Sequence, residues 1–271
     1  MEAEELTKIS KKLRSNILIT SNKSKIPHLG SCLSCIDILT VLYWNEINIE
    51  IDDPYAESRD RVILSKGHAA PALFHVLALK GLIDSKSVEE FGNNGSYLHE
   101  HPPKPGILPG IEAATGSLGH GLSISLGIAK SSKIKKNNFR VYTIIGDGEC
   151  NEGSIWEAAI LAPQLNINNL TVFIDYNKWQ ATGRSNEITK LNPLQEKWSS
   201  FGWHVQEIDG HDFLSIINAL GEAKLVLDKP SIIIANTIKG KGVSFMQDDN
   251  NWHYKTPNKT ELANALIEIN S

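Results

Sequence analysis

The sequence predicts an α/β fold, a mainly parallel sheet with helices on both faces. Short apolar runs at 61–64, 140–145, 170–175, 203–208 and 231–237 read as buried strands. Helical patterns alternate with them, and no Asn-Gly or Asp-Gly hairpin signal joins one run to the next. Strands that are apolar throughout and separated by helices belong in parallel sheets covered on both sides.

The elements follow in order. Leu6, Ile9, Leu13 and Ile17 give residues 3–20 a one-sided apolar stripe, the mark of a surface helix. A polar loop, 21–30, leads to a second helix over 31–44 and then to the strand at 61–64. A turn at Ser65-Lys66-Gly67 precedes a helix over 69–79. Residues 91–115 are rich in Gly, Pro and His and carry no regular pattern; loops that long inside an enzyme usually serve function. Helices at 119–130, 154–164 and 213–227 alternate with the remaining strands. No linker or internal repeat interrupts the chain, so 1–271 is expected to be one domain, its last ten residues ending the fold or starting a connection.

Composition excludes several classes. Hydrophobic residues at 41% with charged residues at 21% describe an ordinary globular chain, and a formal charge of −4 argues against a nucleic-acid or anionic-membrane partner. The basic run 130–136 reads as a solvated helix end. No apolar stretch is long enough to span a bilayer, and residues 1–12 lack the apolar core of a signal peptide, so a cytoplasmic location is expected. Cys32 and Cys35 sit within an apolar helical pattern and are expected to be packed, reduced thiols rather than a redox pair.

Chemistry concentrates where strands end. In open parallel sheets, ligands bind beyond the carboxyl ends of the strands. Asp147 and Asn177 both follow strand candidates that could lie side by side. A carboxylate, an amide oxygen and two phosphates suit an octahedral Mg²⁺. Gly146, Gly148 and Gly153 let the backbone approach a diphosphate. A dinucleotide fingerprint fails, because Gly153 falls two residues late for Gly-x-Gly-x-x-Gly. Gly240-Lys241-Gly242 lacks the rest of a Walker A loop. His28, His68 and His101 lie in turn-rich stretches where an imidazole can reach a ligand; His99 and His120 are weaker candidates, and His75 reads as a core histidine.

The run Gly146-Asp147-Gly148-Glu149-Cys150-Asn151-Glu152-Gly153, closed by Asp175-Tyr176-Asn177, resembles the thiamine diphosphate motif. Ser65-Lys66-Gly67-His68-Ala69, Thr115-Gly116-Ser117-Leu118-Gly119-His120-Gly121, Trp156-Glu157-Ala158 and Lys239-Gly240-Lys241-Gly242 are similar to segments of the transketolase family in the family's order. The resemblance covers about residues 5–260. It implies a thiamine diphosphate-binding fold and transfer of a two-carbon ketol unit from a ketose to an aldose. Metal ligands would be Asp147, Asn177 and the Trp179 carbonyl, holding Mg²⁺ or a cation such as Ca²⁺ or Mn²⁺. Cofactor contacts would come from His68, Gly116, Ser117, Leu118, Gly146, Asp147, Gly148, Glu149, Asn177, Lys239 and His253. His28 and His101 would line the substrate channel and help move protons, and Glu152 and Glu157 would link two sites across a subunit interface.

Two segments depart from the family pattern. Ile26-Pro27-His28-Leu29-Gly30 replaces Ser-Gly-His-Pro-Gly, and Leu98-His99-Glu100-His101-Pro102 replaces a Thr-Pro-Gly-His-Pro type, which puts the sugar specificity in question. A full transketolase is more than twice this long, and its middle domain supplies the pyrimidine site and an activating glutamate. A separate C-terminal subunit and an α2β2 assembly are therefore expected. Alternatives are a subunit of a 2-oxoacid decarboxylase or dehydrogenase, a deoxyxylulose-phosphate synthase type, or a non-catalytic cofactor-binding regulator.

Overall fold

The computed structural model describes residues 1–271. Its centre is a five-stranded sheet formed by β1 (Arg61–Leu64), β2 (Val141–Gly146), β3 (Leu170–Tyr176), β4 (His204–Asp209) and β5 (Ser231–Asn236). The spatial order is β1-β2-β3-β5-β4, and every pairing is parallel. All strand candidates form within about a residue of their expected limits, because wholly buried runs such as Val141–Gly146 leave little choice of edge or face.

Alternate residues of one strand point to opposite faces, so each strand feeds two cores. On one face Val62, Leu64, Tyr142, Ile144, Phe173 and Ile233 pack beneath α1 (Ala3–Ser24), α2 (Leu29–Ser34), α3 (Ile36–Val41) and α4 (Ala70–Lys80). On the other, Ile63, Val141, Ile145, Val172, Ile174 and Ile234 meet α6 (His120–Ile134) and α7 (Gly153–Gln164), with α5 being the short turn Ser85–Glu89. The expected helix at 31–44 is broken into α2, α3 and a wider π-helical turn, Leu42–Glu46. Short helices α8 (Ser185–Ile188) and α9 (Leu194–Ser200) follow β3, and α10 (Phe213–Leu225) lies between β4 and β5. The last residues form α11 (Lys259–Asn270), opened by an Asn258/Glu261 capping box and packed against α1 through buried Ala265 and Ile269.

No helix is long and apolar enough to cross a membrane. Cys32, Cys35 and Cys150 are free and buried, and burial pushes the Cys32 and Cys35 thiols up to about 12, as expected of packed, unreactive groups. His75 is buried with its Nε2 2.9 Å from Thr20 Oγ1, a satisfied core histidine. Residues 91–115 contain no helix or strand and cross the carboxyl-end side of the sheet toward α6.

Candidate active site

β2 and β3 are direct neighbours, with Gly146 in register with Asp175, so Asp147 and Asn177 emerge side by side at the carboxyl edge. Asp147 is 1% exposed, and its Oδ2 accepts a hydrogen bond from Ser185 Oγ at 2.7 Å. Burial lifts its carboxyl to about 7, and the neighbouring Asp175 charge adds to the rise while Ser185 opposes it. Such a carboxylate gains by taking a cation. Asn177 donates through Nδ2 to Asp175 at 3.3 Å and accepts from the Trp179 N–H at 3.0 Å, which fixes its amide and turns the chain at 177–179.

Beneath this pair lies a buried ion pair that sequence reading left unassigned. Lys66 (1% exposed) meets Asp175, and Lys66 Nζ also donates to the Ser31 carbonyl at 2.9 Å. Asp175 accepts in addition from Ser34 at 2.6 Å and from Thr237. The pair sits at the end of β3 and ties α2, the 65–67 turn and β5 to one carboxylate. The Asp-Tyr-Asn spelling gave the only hint of it, since nothing in a sequence says which lysine meets which aspartate.

Opposite the metal-ligand candidates, three histidines converge. The ring centroids of His28 and His68 are 5.3 Å apart, those of His28 and His253 5.0 Å, and those of His68 and His253 6.0 Å. Lys239, 1% exposed rather than a surface lysine, places Nζ 2.9 Å from His253 Nδ1 and donates to Asn250 at 2.7 Å. Burial, followed by the charges of Lys239, His28 and Lys66, lowers His253 to about 3. Burial and then His101, Lys239 and Lys66 lower His28 to about 4, while His68 falls well below its usual range for the same kind of reason. Burial and Lys66 bring Lys239 down to about 8. The imidazoles are therefore neutral at pH 7, each able to donate one N–H to a phosphate oxygen.

His28 adopts a left-handed backbone, φ 67°, at the start of α2, a conformation uncommon for a residue with a Cβ. Its Nδ1 is buried without a partner, as is Gln180 Nε2 beside Gly148. Gly148 is needed where it stands, since a Cβ there would come within 3.0 Å of Gln180 Cγ. Gly116 (φ +152°) packs against His101, whose Cδ2 would lie 2.6 Å from an added Cβ, so the 115–119 loop and His101 form one wall. Ser117 at the tip of that loop is exposed and Leu118 is half-buried.

Three carboxylates placed near the site by the sequence separate here. Glu149 is a correction: it is fully buried, with Oε1 accepting from Ser65 and from the Gly119 N–H at 2.8 Å, and Oε2 from the Gly146 N–H at 3.1 Å. Both oxygens are engaged in bracing the loops, so the side chain holds the cradle together instead of touching a cofactor. Glu152 and Glu157 are exposed at the start and on the outer side of α7, near exposed Ile160 and Leu161.

Donor chemistry and shape agree on the kind of ligand. One carboxylate and one amide oxygen, with a chain turn at Trp179, leave a cation dependent on oxygens from its ligand. The chain has no group of three His, Cys, Asp or Glu side chains arranged for a metal. Neutral imidazoles, a buried lysine and two unpartnered polar nitrogens face the same space, which fits a metal-bridged diphosphate.

The fold and this arrangement define a thiamine diphosphate-type α/β module. Residues 7–267 match the family described as transketolase, thiamine diphosphate binding domain, and the chain belongs to that family. It is 38% identical over 269 residues to one of the two chains of the apulose-4-phosphate transketolase of Phocaeicola vulgatus, covering 99% of this chain and 95% of the relative. It is 43% identical over 235 residues to a 6-deoxy-6-sulfo-D-fructose transketolase subunit of a Clostridium species, covering 87% and 85%. The Campylobacter jejuni transketolase structure superposes with a TM-score of 0.93 at 28% identity, over 100% of this chain and 43% of that one. The chain thus spans about two fifths of the solved transketolases and nearly the whole of relatives named as subunits.

Proposed function

We propose that this chain is the diphosphate-binding subunit of a split transketolase, moving a two-carbon ketol unit from a ketose to an aldose. The observation that carries it is the pairing of Asp147 and Asn177 at adjacent strand ends, facing His68, His253 and Lys239. Its near full-length match to proteins named as transketolase subunits supports the split arrangement. The whole chain would serve as one domain, in an α2β2 assembly in the cytoplasm.

Asp147, Asn177 and the Trp179 carbonyl would hold Mg²⁺ or a similar divalent cation. His68, His253, Lys239 and the Gly148 backbone would hold the diphosphate, with Gly146 giving the strand end room to turn. Gly116, Ser117 and Leu118 would seat the aminopyrimidine. When bound, thiamine diphosphate supplies the carbon centre that carries the transferred unit. His28, neutral and with an unpartnered Nδ1, can accept a proton from a substrate hydroxyl, and His101 across the channel can return one. Glu152 and Glu157, exposed beside α7, would face the neighbouring subunits. The partner chain would bring the pyrimidine-binding part and the activating glutamate.

Reconstitution tests this. The purified chain, its partner subunit, thiamine diphosphate and Mg²⁺ should together transfer two carbons from a ketose to an aldose acceptor. Strong transfer by this chain alone would overturn the split arrangement, and 2-oxoacid decarboxylation without ketol transfer would overturn the reaction.

A further inference from the structure

Lys239 owes its buried position to a network that never touches the cavity. Arg14 of α1 grips Asp37 of α3 through two hydrogen bonds, at 2.9 and 2.7 Å, and all three groups in the network are nearly buried. The third, His211, follows β4, and its Nδ1 lies 2.7 Å from the same Asp37 carboxylate. The other nitrogen of that ring, Nε2, accepts the Ile238 N–H at 2.8 Å, so Nε2 carries no proton and Nδ1 donates to Asp37. Arg14 Nε meanwhile donates to the Lys241 carbonyl at 3.1 Å, and the Gly240 N–H reaches the Gly30 carbonyl at 3.0 Å. The turn 238–241 is therefore held at its first N–H by His211 and at its last carbonyl by Arg14, with Lys239 between them. Contact with Gly30 completes the seat, since a Cβ at residue 30 would come within 2.8 Å of Lys239 Cγ.

We propose that Arg14, Asp37 and His211 are positioning residues for Lys239, fixing both ends of its turn so that the ammonium is aimed at the diphosphate. Asp37 sets the tautomer of His211, and that tautomer supplies the acceptor for Ile238. The inference rests on the reading that Lys239 serves a diphosphate.

The test uses His211→Leu, which fills the space without an acceptor, and His211→Gln, which keeps a donor for Asp37 and an acceptor for Ile238. Binding of magnesium pyrophosphate to the full chain is measured by calorimetry in wild-type and Lys239→Met backgrounds. His211→Leu should weaken binding about tenfold with Lys239 present and less than about twofold without it, while His211→Gln stays within about threefold of wild type. Equal losses in both backgrounds would mark a general folding effect and overturn the proposal, as would full affinity in His211→Leu. Amide exchange at Ile238 and Gly240 in the free chain gives a readout independent of any ligand: it should quicken in His211→Leu and return in His211→Gln. Unchanged exchange overturns the bracket. Arg14→Gln, which frees only the 241 end, replaces His211→Leu should that variant not fold. Absence of binding by the wild-type chain would instead overturn the diphosphate reading, and the exchange rates alone would then decide the bracket.

Discussion

Replacing Lys66 by methionine should destabilise the chain sharply while changing little of its shape. The side chain is 1% exposed and fully committed to Asp175, Ser31 and Ser34. Met fills a similar volume but leaves the Asp175 carboxylate buried with no opposing charge. Breaking a buried pair from one side costs about 3–5 kcal/mol. Donors from Ser34, Thr237 and Asn177 remain on Asp175, which argues for the lower end, about 3 kcal/mol. For a chain of this size that corresponds to a fall in melting temperature of roughly 6–12 °C. Urea unfolding followed by tryptophan fluorescence at pH 7 measures the loss. The double variant Lys66→Met/Asp175→Asn removes both charges and should recover more than half of it. A single variant within about 1 kcal/mol of wild type would refute this electrostatic account, as would a double variant that recovers nothing.

The Asp37 carboxyl offers a pH test of the second buried network. Burial alone would raise it, but Arg14 and the hydrogen bonds from His211 and Arg14 outweigh burial and hold it at about 2, against a usual 3.8. Its folded value is depressed, so the stabilisation is present above the unfolded value and fades as pH falls from about 4 through about 2. The shift is worth roughly 2 kcal/mol, and the stability gap between wild type and Asp37→Asn, from denaturant titrations, should narrow across that window. A gap independent of pH would contradict it. Gly30→Ala should weaken diphosphate binding by displacing Lys239, measured by calorimetry; unchanged affinity would show that Lys239 is not needed where it sits. Native chain should show no rapidly reacting thiol with an aromatic disulfide reagent at about pH 8, and denatured chain should show three, because Cys32, Cys35 and Cys150 are free and buried.

The sheet was legible because its strands are apolar throughout. Runs such as Ile144-Ile145 and Ile232-Ile233-Ile234 have one good destination, the middle of a parallel sheet, whatever the rest of the chain does. Asp147 and Asn177 were legible for a related reason, since strand ends collect ligands and the two ends proved to be neighbours. The break between α2 and α3 was hidden because the sequence continues its apolar pattern through Cys35, and only packing decides where a helix turns. The same limit hid the partners of Lys66, Arg14 and His211, each joined across 23 or more positions to an acceptor that periodicity cannot reveal. Glu149 shows the converse: the motif marks its position, while its role as a brace follows from Ser65, Gly119 and Gly146 closing around it.

The central claim is that Asp147 and Asn177 anchor a metal-bridged diphosphate opposite His68, His253 and Lys239. Calorimetric titration of the chain with thiamine diphosphate, with and without Mg²⁺, in wild type and Asp147→Ala tests it most directly. The account predicts binding in wild type that depends on the metal and is lost in Asp147→Ala. Metal-independent binding, or equal binding by the variant, would contradict it.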